Sequence, residues 1–300
     1  MFVGLCAAVA GLSVVILVTL LGSIVHQGWG TLGWDFLSGT PSRKAEKSGL
    51  MPALWGSVWV CAVCSMTALP LGVGAAVFLE EYKPRGRAAM LLHGFIELNI
   101  RNLAGVPSIV YGMIALTGFV RMFGVFGNGA EPAFSIGSSE EWYHLALPLG
   151  RSVLAGGLAL TLVVLPIVII ASMEALRAVP GSLREGAMAT GATRWQVVRG
   201  MTLPAALPGI MTGAILAMSR AIGEAAPILA VAGVVWIRFR PRNLMDEFTV
   251  LPLQIYSWAG KPQVEFQAVA AGGIIVLLCV LFALNGVAIV LRHTLQRPLQ

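Results

Sequence analysis

A chain of 300 residues that is 57% hydrophobic, only 11% charged and of mean hydropathy +0.83 lies far from soluble globular composition and reads as a polytopic membrane protein. Its formal charge of +6 does not point to nucleic acid, because the Lys and Arg residues are scattered over loops without aromatic interleaving; loops beside an anionic bilayer account for them. Cys6, Cys61, Cys64 and Cys279 lie in apolar runs, and His26, His93, His144 and His293 are dispersed, so neither a zinc or redox site nor a catalytic triad can be assembled from them.

At ~20 apolar residues per span, the chain has room for about six spans and no soluble domain of useful size. The first run, residues 2–25, is too long for a signal-peptide core and lacks a basic start, so it reads as a retained anchor. With the exposed loop that follows, it makes up residues 1–50. The second run, residues 53–79, holds Pro70, which frees the carbonyl of Met66, and then the small residues of "LGVGAA"; a kinked, closely packed span is expected. Charge ends it at "EEYKPRGR". Residues 88–101 form an apolar-rich helix interrupted by His93, Glu97 and Arg101, and "NLAGVPSIVYGMIALTGF" then enters the membrane with Pro107 near its first turn. Residues 121–151, with Asn128 and Pro132, read as another exposed loop. The fourth span, residues 152–172, carries Pro166.

Residues 182–204, "SLREGAMATGATRWQVVRGMTLP", are polar and punctuated by Gly between two long apolar runs. Pro180 and Gly181 break the preceding helix, and Ser182 with Glu185 has the spacing of a capping box. Leu183, Ala187, Met188 and Gly191 form a small, mostly apolar face with Arg184, Glu185 and Arg194 around it. Gly191 ends the short helix, and Leu203 with Pro204 starts the next. This segment resembles the signature loop of the membrane subunits of ABC importers, E-A-A-x3-G-x9-I-x-L-P: Glu185, Gly186 and Ala187 take the first part, Gly191 falls at the required spacing, and Met201, Leu203 and Pro204 complete it. Gly186 for the first Ala and Met201 for Ile are mild departures.

The fifth span, from Pro204 to about residue 235, carries Gly209, Gly213, Ala217, Ala221 and Ala225 in a small-xxx-small stripe that lets two helices approach. Arg220 and Glu224 share a face about 100° from that stripe. At ~1.5 Å per residue, Arg220 stands about 24 Å along the axis from Pro204. A charge at bilayer depth costs ~2.5 kcal/mol or more, so such groups face protein or a watery path. The functional reading gives Arg220 the transported anion, its guanidinium fork matched to tetrahedral oxygens, with Glu224 moderating its grip. The alternative is an ion pair that locks the helix to a sister subunit. Residues 236–267 contain Arg238, Arg240 and Arg242, and the sixth span covers residues 269–290 before a short basic tail.

"SRAIGEAAPIL", "NLAGVPSIVYG" and "FTVLPLQIYSW" are similar to the phosphate-importer branch, specifically its A-type permease subunits, and with the signature loop they cover residues 50–292. The resemblance implies an all-α type I ABC importer permease fold: one transmembrane domain over residues 1–300, a core at 51–292 and a cytosolic coupling loop at 182–204. It implies a C-type permease partner, two copies of an ATP-binding subunit that use ATP and Mg, an extracytoplasmic phosphate-binding protein, inorganic phosphate as cargo, membrane lipid and no nucleic acid. It also implies a bacterial inner membrane location with both termini cytoplasmic, since Lys and Arg are too evenly divided between the two sides to set orientation. Some members carry a second Arg and acidic residue at the end of the fourth span; here that place reads Ile170 and Met173, with Glu174 beside them. No G-x-x-x-x-G-K-[ST] loop is present, so the chain is expected to bind no nucleotide or other cofactor itself and to catalyse no reaction. A permease for molybdate or sulfate, or a channel outside this class, are the competing expectations.

Overall fold

The computed structural model describes residues 2–125, 133–138, 141, 144–233 and 236–295. Asn128, Pro132, the expected end of the fifth span at Val235 and the tail after residue 295 lie outside the described residues. In chain order the helices are α1 (Phe2–Gly28), α2 (Trp34–Ser38), α3 (Met51–Glu81), α4 (Arg87–Leu103), α5 (Ser108–Ala115), α6 (Val153–Arg177), α7 (Gly181–Ala189), α8 (Arg194–Val197), α9 (Leu203–Gly223), α10 (Ala226–Ala232), α11 (Leu251–Ala259) and α12 (Glu265–Leu295). Five helical stretches are long and apolar enough to cross a membrane, and α4 with α5 makes a sixth only if a 104° bend is accepted within one span.

That bend corrects the expected third span. Pro107 disfavours helical geometry at Val106, so α4 stops at Leu103 and α5 restarts at Ser108, continuing through a π-turn at Leu116–Val120. The Tyr111 hydroxyl donates to the Leu103 carbonyl at 2.7 Å, satisfying an acceptor that the break leaves without a helical partner. The loop expected at residues 121–151 contains a short antiparallel pair, β1 (Phe134–Ile136) and β2 (Leu145–Leu147), with Ser135 opposite Ala146. The stretch "LPLQIYSWA", read only as part of a long connection, is α11, with Pro252 in its first turn, where a missing N–H costs little.

α6 is the hub. Its membrane-length window is 67% buried while that of α1 is 0% buried, so α6 organises protein contacts and α1 presents its side chains outward. α3 runs parallel to α6: Thr67 and Thr161 share a hydroxyl bond of 2.6 Å, and a Cβ on Gly72 would collide with the Val168 side chain. α9 runs antiparallel along α6. A Cβ at Gly209 would lie 2.8 Å from that of Ala175, and one at Gly213 would overlap Ala171, so the expected small-residue stripe is an intrachain seam. α12 lies antiparallel to α9, with Ser219 donating to Asn285 and Arg292 donating to Thr212 at 3.0 Å. Gly28 of α1 meets Ala271 and Gly272 of α12. These pairings put the start of α1 and the end of α12 at the same end of the bundle as α7.

Candidate functional site

The connector between α6 and α9 is not capped as its sequence suggested. α7 begins at Gly181 after Pro180, without a side-chain cap; Ser182 is already inside the first turn and cannot act as N-cap. The capping box forms instead at Thr193, whose N–H donates to Gln196 Oε1 at 2.8 Å while the Gln196 N–H donates to Thr193 Oγ1 at 3.4 Å. Gly191 stops α7 as expected. Its φ of +85° is in the left-handed region, and its N–H donates to the Met188 carbonyl at 3.0 Å.

As expected, α9 starts at Leu203 with Pro204 in its first turn, but it joins α8 without a break through a π-turn at Val198–Thr202, so the helical path is continuous from Arg194 to Gly223. Leu203 packs with Leu176, Val179 and Ile210 at this end of the bundle, and Pro204 is exposed. On α7 itself, Glu185 and Gly186 are exposed and Ala187 is half-buried, while Leu183 and Met188, with Trp195 of α8, present exposed apolar surface.

Arg184 ties this connector to the bundle. Its guanidinium donates to Glu81 Oε1 at 2.8 and 3.1 Å, to the Leu176 carbonyl at 2.7 Å and to the Val179 carbonyl at 2.9 Å. The last two bonds satisfy acceptors at the end of α6. A second network lies alongside: Arg177 bridges Glu80 and Glu97, each at 2.8 Å, and reaches Glu174 at 3.3 Å, while Arg101 meets Glu97 at 3.0 Å. Glu174 is therefore part of a cluster joining α3, α4 and α6 at the connector end. Arg184→Met removes four charge-assisted bonds and leaves Glu81 unpaired. It is expected to make the 178–193 backbone exchange hydrogen at least tenfold faster in the assembled complex, read by mass spectrometry, with α9 unchanged.

Arg220 and Glu224 are brought together as the sequence predicted. Arg220 Nε donates to Glu224 Oε1 at 3.0 Å, with the arginine side chain 52% exposed and the glutamate 16% exposed on this single chain. The antiparallel seam carries Arg220 to the level of Val164, near the midpoint of α6, and Ala217 and Ala221 pack there beside Val164 and Val168. The pair faces away from that packed seam.

The fifth span, expected from Pro204 to about residue 235, is interrupted at Glu224, where ψ is 109° and α9 ends; α10 begins two residues later. Pro227 has no N–H for the Gly223 carbonyl, which explains the interruption. Pro227 in turn sits against Gly112 of α5, where a Cβ would come within 2.7 Å of the proline Cα. A carboxylate on extended backbone between two helical segments is thus braced by α5 beside a mid-depth guanidinium.

Residues 68–295 match the family described as binding-protein-dependent transport system inner membrane component. The chain belongs to this family. It is 32% identical over 294 residues to "Probable ABC transporter permease protein YqgI" of Bacillus subtilis, covering 94% of this chain and 90% of that one. It is 30% identical over 291 residues to "Phosphate transport system permease protein PstA 1" of Mycobacterium tuberculosis, covering 94% and 83%. Among solved structures, a bacterial ABC transporter involved in the import of the acidic polysaccharide alginate aligns over 98% of this chain and 96% of its own, with a TM-score of 0.63 at 14% identity. An inward-facing MetNI methionine ABC transporter aligns over 83% and 96%, with a TM-score of 0.60 at 18% identity. The all-α permease fold expected from the signature loop is the fold of this family member.

Proposed function

We infer that this chain is a membrane-spanning permease subunit of an ATP-driven phosphate importer, forming half of the translocation path and linking it to a partner ATPase. The observation that carries this reading is the continuity of the helix from Arg194 to Gly223: the segment matching the importer signature feeds directly into the helix that holds Arg220 at mid-depth. Relatives named as phosphate transport permeases supply the cargo, and a guanidinium fork suits tetrahedral oxygens.

In this reading Glu185, Gly186, Ala187 and Gly191 present α7 to an ATP-binding subunit, while Leu203 and Pro204 carry its movement into α9. Exposed Leu183 and Met188 give that contact an apolar centre. Arg220 meets the anion, and Glu224 prevents it from being held too long. Glu224 also accepts a hydrogen bond from a phosphate that still carries a proton, which sulfate lacks. ATP and Mg are used by two copies of the partner ATPase; a homologous C-type permease supplies the other half of the path, and an extracytoplasmic phosphate-binding protein delivers the cargo. The connector end, with both termini, faces the cytoplasm. The single domain spans residues 1–300, with the anchor and loop at 1–50 and the core at 51–292.

The test is ATP-dependent uptake of labelled phosphate by the reconstituted complex. Excess unlabelled phosphate should abolish the signal, and sulfate and molybdate should leave it nearly intact. Full competition by either would transfer the assignment to another oxyanion, and uptake without ATP would point to a channel.

A further inference from the structure

At the end opposite α7, a cavity of about 930 Å³ opens between the first turns of α3 and the segment that follows α10. Its walls include Trp55 and Trp59 from α3 and Arg238, Arg240 and Arg242 from that segment. The three arginines are exposed, while Ile237, Pro241 and Asn243 between and beside them are buried. Buried Ile237, Pro241 and Asn243 thus fix this run of the chain along the opening. Trp236, at the segment's start, is clasped by Arg43 at 5.9 Å and by Lys261 at 5.3 Å from the ring centre. Burial pushes the Lys261 ammonium below the usual lysine range.

The charge of this cavity is not neutralised from within. Asp246 lines it, but its Oδ2 accepts from the backbone N–H groups of Arg242 at 2.6 Å and Asn243 at 3.2 Å, which fixes the turn. Among the described residues, no carboxylate pairs with Arg238, Arg240 or Arg242. Three forked cations around a concave mouth with aromatic walls focus an attractive field on anions. Trp59 also packs on the same extended core that, further along the bundle, contains Ala217 and Ala221.

We propose that this cavity is a separate binding station for a phosphate group, held by Arg238, Arg240 and Arg242 at the end of the bundle away from the connector. It rests on the phosphate-importer reading only for placing the station ahead of Arg220 on one route. The phosphate group belongs either to the free anion or to a lipid headgroup, and these sources separate experimentally.

The assembled complex bearing Arg220→Ala, which silences the mid-depth site, is placed in discs of neutral phosphatidylcholine and titrated with labelled inorganic phosphate. Replacing Arg238, Arg240 and Arg242 together by Gln should weaken binding at least about tenfold, and the triple Lys version should recover part of it. A parallel set of discs containing phosphatidylglycerol is read by native mass spectrometry. Retention of that lipid by the parent and its loss from the Gln variant, with no phosphate binding in neutral discs, assigns the station to a headgroup. Equal phosphate binding and equal lipid retention in parent and Gln variant overturn the proposal. Uptake by the unmutated complex is measured alongside: loss of phosphate specificity there defeats the importer reading and leaves the binding result standing.

Discussion

Replacing Arg220 by Ala is expected to lower ATP-driven phosphate uptake by about 10- to 100-fold, the size of one lost charge-assisted contact, in complexes that still assemble. The arginine side chain is half exposed on this chain, sits at the level of the α6 midpoint and is paired only to Glu224 among the described residues. Arg220→Lys keeps the charge but not the planar fork, so it should retain part of the activity. Glu224→Gln should slow release, giving lower turnover with tighter retention of phosphate. Uptake within twofold of the parent in Arg220→Ala removes the arginine from the path. Loss of the sister permease from the purified variant would instead identify the pair as an intersubunit lock.

Gly191→Asp is expected to reduce uptake at least tenfold while the ATPase either continues to turn over without transport or falls away from the complex. Gly191 stands at φ +85°, where a side chain costs roughly 1 kcal/mol or more. Aspartate also sets a negative charge at the carboxyl end of α7, where the helix dipole disfavours it. Gly191→Asn, which tolerates left-handed geometry without the charge, should keep most of the transport. Measuring ATP hydrolysis and uptake in the same vesicles separates these effects, and normal assembly with normal transport in Gly191→Asp would remove the connector from the coupling role.

Much of this architecture was legible because long apolar runs and small-residue spacing are strong signals. The stripe from Gly209 to Ala221 foretold a close helix seam, and α6 supplies its other side. The Arg220 and Glu224 pairing was legible from a separation of four residues on one helix face. What escaped depended on neighbours remote in sequence. Arg184 looked like the rim of an apolar face, yet it binds Glu81, the Leu176 carbonyl at the end of α6 and the Val179 carbonyl just beyond it. Arg177, Glu80 and Glu97 come from three helices, so no local pattern announces their cluster. Other signals were present and misread. T-R-W-Q at residues 193–196 has capping-box spacing as good as that of Ser182, but Pro180 starts α7 too early for the serine to serve. Pro252 marked the start of α11, in a stretch read only as a connection.

The hold of Arg184 on α3 and α6 has a mechanical consequence. Together with the unbroken rise from Arg194 into α9, it makes these elements a single stiff plank rather than a set of sliding rods. At ~1.5 Å per residue α6 alone is about 37 Å tall. A sideways push of a few ångströms at the foot of such a plank, pivoting near mid-height, swings its head a similar distance the other way. In the proposed coupling role, the gap that such a swing opens lies between this chain and a partner permease, and the interior seams along Gly213 and Gly72 stay shut throughout.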